Sequence, residues 1–395
     1  MDSSLQQLLD RLPALHSDEN RFPKCKVCEG DTSLFDCVDF NKHCSADPYM
    51  FGLSGIGVPY YRCGRCNFIF TDFIDEWSSE EVAKYIYNAD YVKVDPQYQG
   101  ARALSVATQM ARHLAGCEQL RILDFGSGSG SFAEEMRRQG FPSVESYDLF
   151  SSPAEPQGSF DLITCFEVIE HSPNPLKTLM DMVGKLSSRG AIIIGQTLQP
   201  DNIDEIAGRW WYLGPRNGHV SLFAEDTFIT LAARANLIYH RGPGFYVFAR
   251  ANVRGPLARF IAKAGSPMHL WLLGAPGPDA PATGWQGIEH KGRSMFRWST
   301  MSEISWPPIE LRVGINVIEI PFLLFIREGF VERCLIAVDG RKLATRVQRH
   351  RIRAEITVAK PRMCKISLLT PPPLTPFELR GIPDTRKLGV AVTSW

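Results

Sequence analysis

The sequence predicts an α/β protein whose central part is a Rossmann-like parallel sheet, preceded by a cysteine-rich module and followed by a small all-β sandwich. Over residues 81–250, helical hydrophobic patterns alternate with short apolar strands, as in a parallel sheet whose crossovers are helices. Residues 22–80 hold six of the ten cysteines and show little helical periodicity. Residues 285–395 contain short strand-like runs separated by turn residues, which favours a sandwich.

Changes in composition predict five segments along the 395 residues. They are an N-terminal tail at 1–21, the cysteine-rich module at 22–80, the α/β domain at 81–250, a helix with a Pro/Gly-rich linker at 251–284, and the sandwich at 285–395.

The charge is zero overall but uneven, because residues 286–395 carry 18 Lys and Arg against 10 Asp and Glu. This segment is either a solvated basic face or a surface that meets an anionic partner. The polar, acidic start lacks the basic-then-apolar pattern of a signal peptide, and no apolar run reaches the ~18 residues of a membrane span. We therefore expect a cytoplasmic protein with no transmembrane segment.

A glycine-rich loop follows the first strand of the α/β domain. The strand ends at Phe125, and a helical pattern begins at Ser131, so that Gly126, Gly128 and Gly130 lie on the turn between them. Glycines there let the backbone turn tightly and approach a ligand. The helix N-terminus offers free N–H groups to a polar or anionic ligand.

Two aspartates make this loop more specific than a lone glycine pattern. Asp124 precedes it in the spacing Asp-x-Gly-x-Gly-x-Gly, which differs from the dinucleotide pattern. Asp148 ends the next strand, 18 residues after Gly130, where a carboxylate can accept both ribose hydroxyls of a nucleoside. A nucleoside-containing ligand is therefore predicted, rather than a plain surface turn.

Residues 98–250 resemble the class I S-adenosylmethionine-dependent methyltransferases. Residues 159–171 are similar to that family's fourth strand and the segment after it, and residues 190–195 are similar to its fifth strand. The resemblance implies S-adenosylmethionine as the cofactor. The residues that it implies in cofactor binding are Asp124, Phe125, Gly126, Gly128, Gly130, Asp148, Leu149, Phe166 and Glu167.

The domain departs from this family after Asp148, because only eleven residues separate it from Phe160. A helix and a third strand normally fill that interval and need more chain. We expect the third strand to be missing or reduced. Phe150, Phe166 and the loop at 151–158 are candidates to close the adenine side instead.

Two Cys-x-x-Cys pairs predict a structural zinc site, because each pair can present two thiolates to one tetrahedral ion. The four ligands are Cys25, Cys28, Cys63 and Cys66. Cys37, His43 and Cys44 lie between the pairs and are alternative ligands. A cysteine module ahead of this fold resembles the N-terminal zinc-binding region of sugar methyltransferases, including enzymes that C-methylate nucleotide-linked deoxysugars. The aromatic residues at 85–91 resemble the bridging region of such proteins, where they could cap the cofactor or simply pack.

Methyl transfer to a hydroxyl needs a base beside the acceptor. Glu170 and His171 follow the fourth strand, and His219 lies in an aromatic loop after the fifth, so these three are the predicted catalytic residues. Structural hydrogen bonding is the alternative for His171, and a metal site built from all three is a less favoured one. Gln196 follows the fifth strand and could contact cofactor or substrate.

The expected function is O-methylation of a glycan or nucleotide-linked sugar in bacterial surface-polysaccharide biosynthesis. The end of the chain resembles β-sandwich modules of such systems, and the basic stretch at 341–353 could hold a pyrophosphate, a nucleotide or an anionic membrane surface. Two alternatives remain open: C-methylation of a nucleotide deoxysugar, and a non-catalytic glycan-binding scaffold. Nucleic-acid binding is not expected, because no recognised motif accompanies the basic charge.

Overall fold

The computed structural model describes residues 22–97, 100–149, 151, 154–277, 284–291, 294–348, 350–380 and 382–394. The predicted tail at 1–21 and Phe150 lie outside the described residues. The chain divides into two compact units, Met1–Gly265 and Ser266–Trp395. No helix of the described residues is long and apolar enough to cross a membrane.

The strands and helices of the first unit alternate over most of its length. The strands are β1 (Thr32–Asp39), β2 (Gly57–Cys63), β3 (Ile69–Phe70), β4 (Ile122–Phe125), β5 (Val144–Tyr147), β6 (Phe160–Phe166), β7 (Leu186–Gly195), β8 (Ser221–Leu222), β9 (Ile238–Arg241) and β10 (Tyr246–Ala249). The helices are α1 (Ser79–Tyr85), α2 (Tyr91–Val94), α3 (Ala101–His113), α4 (Ser131–Arg138), α5 (Pro175–Lys185), α6 (Ile203–Ile206), α7 (Glu225–Arg234) and α8 (Gly255–Ala264), with 3₁₀ turns at Ile169–His171, Ala207–Arg209 and Pro215–Asn217.

The central sheet of this unit has the order β9-β10-β7-β6-β4-β5. Strands β5, β4, β6 and β7 are parallel, and β10 runs antiparallel to β7. One core cluster joins this sheet to α3, α4 and α8, which pack on it through apolar stripes. The predicted α/β sheet is therefore confirmed, and its carboxyl edge collects the loops after β4, β5, β6 and β7.

The sheet ends at β5, as the short interval after Asp148 predicts. No strand occurs between β5 and β6 in the described part of that interval. Arg121 supports the short connection, because its guanidinium donates to the carbonyls of Gln157 (2.6 Å) and Ser159 (3.2 Å). The third strand is therefore absent from the described residues.

The cysteine-rich module has its own antiparallel sheet, in the order β1-β2-β3-β8. Strand β8 comes from a distant part of the chain, and pairs through Ser221 and Leu222 with Phe70 and Ile69. Apolar residues of the module also share one core cluster with Trp210, Tyr212 and Val220. The module is thus packed onto the loop that precedes β8.

The second unit consists mostly of strands. They are β11 (Pro267–Leu272), β12 (Glu289–Lys291), β13 (Ser294–Trp298), β14 (Glu303–Ser305), β15 (Ile309–Leu311), β16 (Gly314–Phe325), β17 (Leu335–Val338), β18 (Arg341–Lys342), β19 (Thr345–Gln348), β20 (Arg351–Val358), β21 (Arg362–Cys364), β22 (Ile366–Leu369) and β23 (Val390–Ser394), with a 3₁₀ turn at Val331–Arg333 and a short helix α9 (Pro376–Arg380).

Two of its sheets enclose one apolar core. Ile318 of β16 and Ile352 of β20 meet Ile336 of β17 and Leu368 of β22 in the same cluster. The C-terminal part is therefore a set of packed β-sheets, as expected. Strand β11, by contrast, falls inside the segment for which a helix and linker are expected.

The basic stretch at 341–353 is only partly available to a ligand. Arg351 and Arg353 are buried and both pair with the buried carboxylate of Glu319, Arg353 through its Nη1 at 2.5 Å. These two guanidinium groups satisfy an internal charge, so the interpretation of the whole stretch as an anion-binding surface is wrong at these positions. Arg341 and Lys342 remain exposed.

Candidate functional site

The glycine loop takes a shape that only glycine adopts without strain. Gly126, Gly128 and Gly130 have φ of 79°, 52° and 79°. A Cβ on Gly126 would overlap the side chain of Val168, with Cγ1 at 2.8 Å, whereas one on Gly128 would meet nothing within 4 Å. The loop therefore packs tightly at Gly126 and is open at Gly128, where a ligand can approach the backbone.

Asp148 connects this loop to the end of β5. Its Oδ2 accepts from the Gly128 N–H (3.1 Å), and its Oδ1 accepts from the N–H (2.9 Å) and hydroxyl (3.1 Å) of Ser151. These bonds hold the half-buried carboxylate at the loop. A ligand hydroxyl that binds at the end of β5 would therefore share this carboxylate with the donors of the protein.

Asp124 is buried beneath the loop. Its Oδ1 accepts from the Thr164 hydroxyl (3.2 Å), while its Oδ2 has no partner among the described residues. Burial, opposed by the Thr164 hydrogen bond and reinforced by the charge of Asp148, raises the pKa of Asp124 to about 7. A cationic ligand group beside it would favour its ionised form.

Buried polar atoms without a partner collect at the carboxyl edge of the sheet. Within the described ranges they include Asp124 Oδ2, Ser146 Oγ, Glu170 Oε2 and both amide atoms of Gln196. They belong to β5 or lie at or just beyond the ends of β4, β6 and β7. Buried polar groups are normally satisfied, so this concentration indicates that the edge binds a polar ligand.

Glu170, His171 and His219, for which a catalytic role is predicted, lie close together beside this edge. Their ligand-type atoms lie within 4.8 Å of one another, and His171 Nε2 is 3.9 Å from Glu170 Oε1. Glu170 is fully buried and accepts from the Tyr212 hydroxyl (2.9 Å). The 3₁₀ turn after β6 and the loop before β8 supply the three side chains.

Backbone carbonyls set the protonation of both histidines. His171 Nδ1 donates to the Gly218 carbonyl (3.1 Å), and His219 Nδ1 donates to the Tyr212 carbonyl (2.7 Å). A carbonyl oxygen can only accept, so the proton resides on Nδ1 and each neutral ring keeps its lone pair on Nε2. Burial lowers the pKa of both histidines, most strongly that of His219, which holds them neutral.

The carboxylates of this region share a raised pKa. Burial and the charge of Glu170 raise the pKa of Glu167 to about 8, and burial raises that of Glu170 to about 7. Glu167 has a φ of 53° and lies 4.0 Å from Arg102, which also pairs with Asp95. The structure thus places Arg102 and Asp95 beside Glu167, and neither residue is among those predicted from the sequence.

Other predicted cofactor residues lie at the expected edge with different exposure. Leu149 is exposed next to Asp148, and Phe125 is half-buried against Tyr147. Phe166 packs against Phe132 and covers Gly195, so its ring borders the glycine-loop side of the sheet.

The aromatic loop before β8, which carries His219, exposes only one of the three aromatic side chains at 210–212. Trp210 and Tyr212 are buried, and Trp211 is exposed. Tyr212 positions Glu170 and His219 rather than facing solvent. Trp211 remains as an aromatic surface for a ligand.

The four paired cysteines form one cluster in the cysteine-rich module. Cys25 Sγ is 3.6 Å from Cys66 Sγ, and Cys28 Sγ is 3.5 Å from Cys63 Sγ. Four thiolates around a tetrahedral zinc ion at 2.3 Å would stand ~3.8 Å apart, so the cluster fits such an ion. Burial and the neighbouring thiols raise the pKa of Cys66, whereas hydrogen bonds with the neighbouring thiols lower the pKa of Cys28 and Cys63.

The alternative zinc ligands lie elsewhere. Cys37, His43 and Cys44 are outside the cysteine cluster, and Cys44 Sγ is instead 3.5 Å from His219 Nδ1. Tyr60 of β2 donates to the His219 carbonyl (2.7 Å). The cysteine-rich module therefore contributes Cys44 and Tyr60 to the histidine site, which no local sequence signal indicates.

Residues 97–240 match the protein family described as a methyltransferase domain. The matched residues include the parallel strands and the glycine loop, so the chain contains a methyltransferase domain. The expectation of a methyltransferase domain is confirmed for these residues. The comparison with curated proteins found no match.

Solved structures similar to part of the chain include other methyltransferases. An O-methyltransferase family protein from Burkholderia thailandensis is 12% identical over 39% of this chain and 59% of its own, with a TM-score of 0.30. A possible histamine N-methyltransferase from Thermotoga maritima is 14% identical (38% and 96%, TM-score 0.26). Magnesium protoporphyrin IX methyltransferase from Synechocystis PCC 6803 is 12% identical (38% and 83%, TM-score 0.28). The chain spans less than two thirds of the Burkholderia protein, and at these TM-scores the likenesses carry no conclusion about substrate.

Proposed function

We propose that this protein is a cytoplasmic enzyme that transfers a methyl group from S-adenosylmethionine to a hydroxyl of a sugar, on a glycan or a nucleotide-linked sugar of surface-polysaccharide biosynthesis. The observation that carries the proposal is the set of unpartnered polar atoms at the carboxyl edge of a methyltransferase sheet, beside two neutral histidines.

The residues of the glycine loop fit the cofactor. Gly128 leaves space beside its backbone, and Asp148 places a carboxylate where ribose hydroxyls would lie. The Asp124 oxygen that has no partner among the described residues suits a cationic group. Phe125, Leu149, Phe166 and Glu167 border the same edge. When bound, the cofactor supplies an electrophilic methyl group; the protein supplies its binding and orientation.

On the acceptor side, the site offers proton acceptors and hydrogen-bonding groups. The Nε2 atoms of His171 and His219 are free to take a hydroxyl proton, and Glu170 next to them favours the resulting imidazolium. Gln196 has two unsatisfied amide atoms for a polyhydroxylated ligand, and Trp211 an exposed ring. These features support a sugar acceptor over an apolar one.

The cofactor is tested by isothermal titration with S-adenosylhomocysteine. Binding is expected for the intact protein, and Asp148→Asn should weaken it about 10- to 100-fold, as expected for hydrogen bonds to a charged group. Asp181→Asn, an exposed aspartate on α5 paired with Lys177, is the matched control and should bind normally. No binding by the folded protein would favour the scaffold alternative instead.

The acceptor is tested by a mass-shift screen of glycans and nucleotide sugars with isotope-labelled cofactor. NMR of the labelled product then separates an O-methyl from a C-methyl group, which decides between the proposal and the deoxysugar C-methylation alternative. Transfer only to acceptors without sugar would refute the sugar assignment.

The cysteine cluster is proposed as a structural zinc site held by Cys25, Cys28, Cys63 and Cys66. Backbone N–H groups of Val27 (3.4 Å) and Arg65 (3.2 Å) point at the Cys25 and Cys63 sulfurs, which favours thiolates there. Four cysteine ligands leave no open position, so the ion has no catalytic role in this proposal.

A further inference from the structure

We propose that Glu170, His171 and His219 bind a divalent transition-metal ion at the acceptor side of the site, distinct from the cysteine cluster. Their ligand-type atoms lie within 4.8 Å of one another. Small adjustments of the side chains would bring these atoms to the shorter separations found between ligands of one ion. Two imidazoles and one carboxylate are a ligand set that leaves coordination positions open.

The histidines are arranged as metal ligands are. Each donates Nδ1–H to a backbone carbonyl, His171 to Gly218 and His219 to Tyr212, and so presents an unprotonated Nε2. In metalloproteins such second contacts fix the tautomer and the orientation of the ligating ring. The Nε2 of His171 lies 3.9 Å from Oε1 of the buried Glu170, so at least one imidazole lone pair is close to the carboxylate.

Glu170 supplies the independent observation. Its side chain is fully buried, Tyr212 satisfies Oε1, and Oε2 has no partner among the described residues. A buried carboxylate oxygen without a partner is costly, and a cation relieves that cost. Arg102 is the nearby cation, but it is 4.0 Å from Glu167 and paired to Asp95.

The ligand types favour Mn²⁺, Fe²⁺ or Zn²⁺ over Mg²⁺, because imidazole nitrogen suits the former ions. If the proposed function holds, the open positions would be available to a hydroxyl of the acceptor. Metal binding would lower the pKa of one hydroxyl, whose proton leaves to water. The oxygen would then form a bond to the methyl carbon while the bond between that carbon and the cofactor sulfur breaks, giving a methyl ether and S-adenosylhomocysteine. The histidines would then hold the ion rather than take the proton.

The test is a titration of the full-length protein, with zinc already on the cysteine cluster, by Mn²⁺ alone, followed by electron paramagnetic resonance and calorimetry. Thiolates disfavour Mn²⁺, so the cysteine cluster should not compete. One Mn²⁺ per chain is expected. Glu170→Gln, His171→Asn and His219→Asn should each weaken its binding at least about 100-fold, since asparagine can keep the Nδ1 contact but lacks Nε2.

His240→Asn is the matched control, because His240 Nδ1 also donates to a backbone carbonyl, that of Gly265 (3.1 Å), away from the cluster. It should bind Mn²⁺ normally. Tyr212→Phe keeps all three ligands and should weaken Mn²⁺ binding about 10- to 100-fold by releasing Glu170. Circular dichroism of each variant checks that it is folded.

No binding of Mn²⁺ by the wild-type protein, or equal binding by the three ligand variants and the control, would overturn the inference. S-adenosylhomocysteine binding on the same samples separates it from the proposed function. Cofactor binding without Mn²⁺ binding would refute only the metal site. Mn²⁺ binding without cofactor binding would refute only the proposed function.

Discussion

At the scale of single residues, the proposed function rests on buried polar atoms that have no hydrogen-bond partner among the described residues. Asp124 and Glu170 could be predicted from the sequence, because each follows or ends a recognisable strand. The contacts of Tyr60 and Cys44 with His219 could not, since they join residues more than 150 positions apart in the chain. Local patterns contain no information about such contacts.

Asp124→Asn is predicted to change how stability depends on pH. The raised pKa of Asp124, about 7, means that the unliganded fold holds its proton more tightly than the unfolded chain does. This stabilisation is complete below about pH 4 and is lost as the pH rises through about 7. Relative to wild type, the variant should gain on the order of 2–4 kcal/mol between pH 4 and pH 8. Urea unfolding at both pH values measures this, and an unchanged difference would contradict it.

Gly126→Ala is predicted to destabilise the protein by about 2–4 kcal/mol, because φ is 79° and the new Cβ overlaps Val168. Gly140→Ala is the control: its φ is 96°, but a Cβ there meets nothing within 4 Å, so only about 1–2 kcal/mol of backbone strain is expected. Chemical denaturation compares the two. Equal losses would show that the packing against Val168 is unimportant.

Among elements, the parallel strands and the absence of the third strand were predictable, because strand patterns and interval lengths are local properties. The pairing of β3 with β8 was not, since β8 has two residues and no pattern of its own. The helix α8 was expected next to a linker, yet Leu257, Phe260 and Ile261 pack into the core of the first unit. Whether such a helix packs into the core depends on its contacts with strands that are distant in the sequence.

Cys63→Ser is predicted to remove stoichiometric zinc and to destabilise the first unit by about 4 kcal/mol or more, because a tetrahedral ion needs all four thiolates. Cys37→Ser changes an exposed cysteine of the same sheet outside the cluster, and should keep its zinc and its stability. Metal analysis and thermal unfolding are the measurements. A wild-type protein purified without zinc, and indifferent to chelators, would refute the zinc site.

Glu319→Gln is predicted to destabilise the second unit by about 3–5 kcal/mol, because the buried charges of Arg351 and Arg353 then lose the buried carboxylate that they share. Glu303→Gln removes an exposed partner 3.9 Å from Lys365 and should cost less than about 1 kcal/mol. Thermal unfolding distinguishes them, and similar small effects would show that the buried pair is dispensable.

At the scale of the whole molecule, two units with separate cores predict two unfolding transitions. S-adenosylhomocysteine at 100 times its Kd should stabilise only the first unit, by about 2.7 kcal/mol. Glu319→Gln should lower the temperature of the transition of the second unit, which shows which transition belongs to which unit. Calorimetry with and without the ligand measures this, and a ligand shift of both transitions would contradict it.

The strand pair β3–β8 has a consequence for how the enzyme could be reduced in size. Ser221 and Leu222 lie two and three residues after His219, and the Thr71 N–H donates to the carbonyl of the intervening Val220 (3.0 Å). The surroundings of His219 are therefore formed partly by the cysteine-rich module, so residues 81–250 expressed alone would keep the glycine loop but lose the contacts of Tyr60 and Cys44 with His219. A shortened protein without the cysteine-rich module would therefore need other residues to support His219.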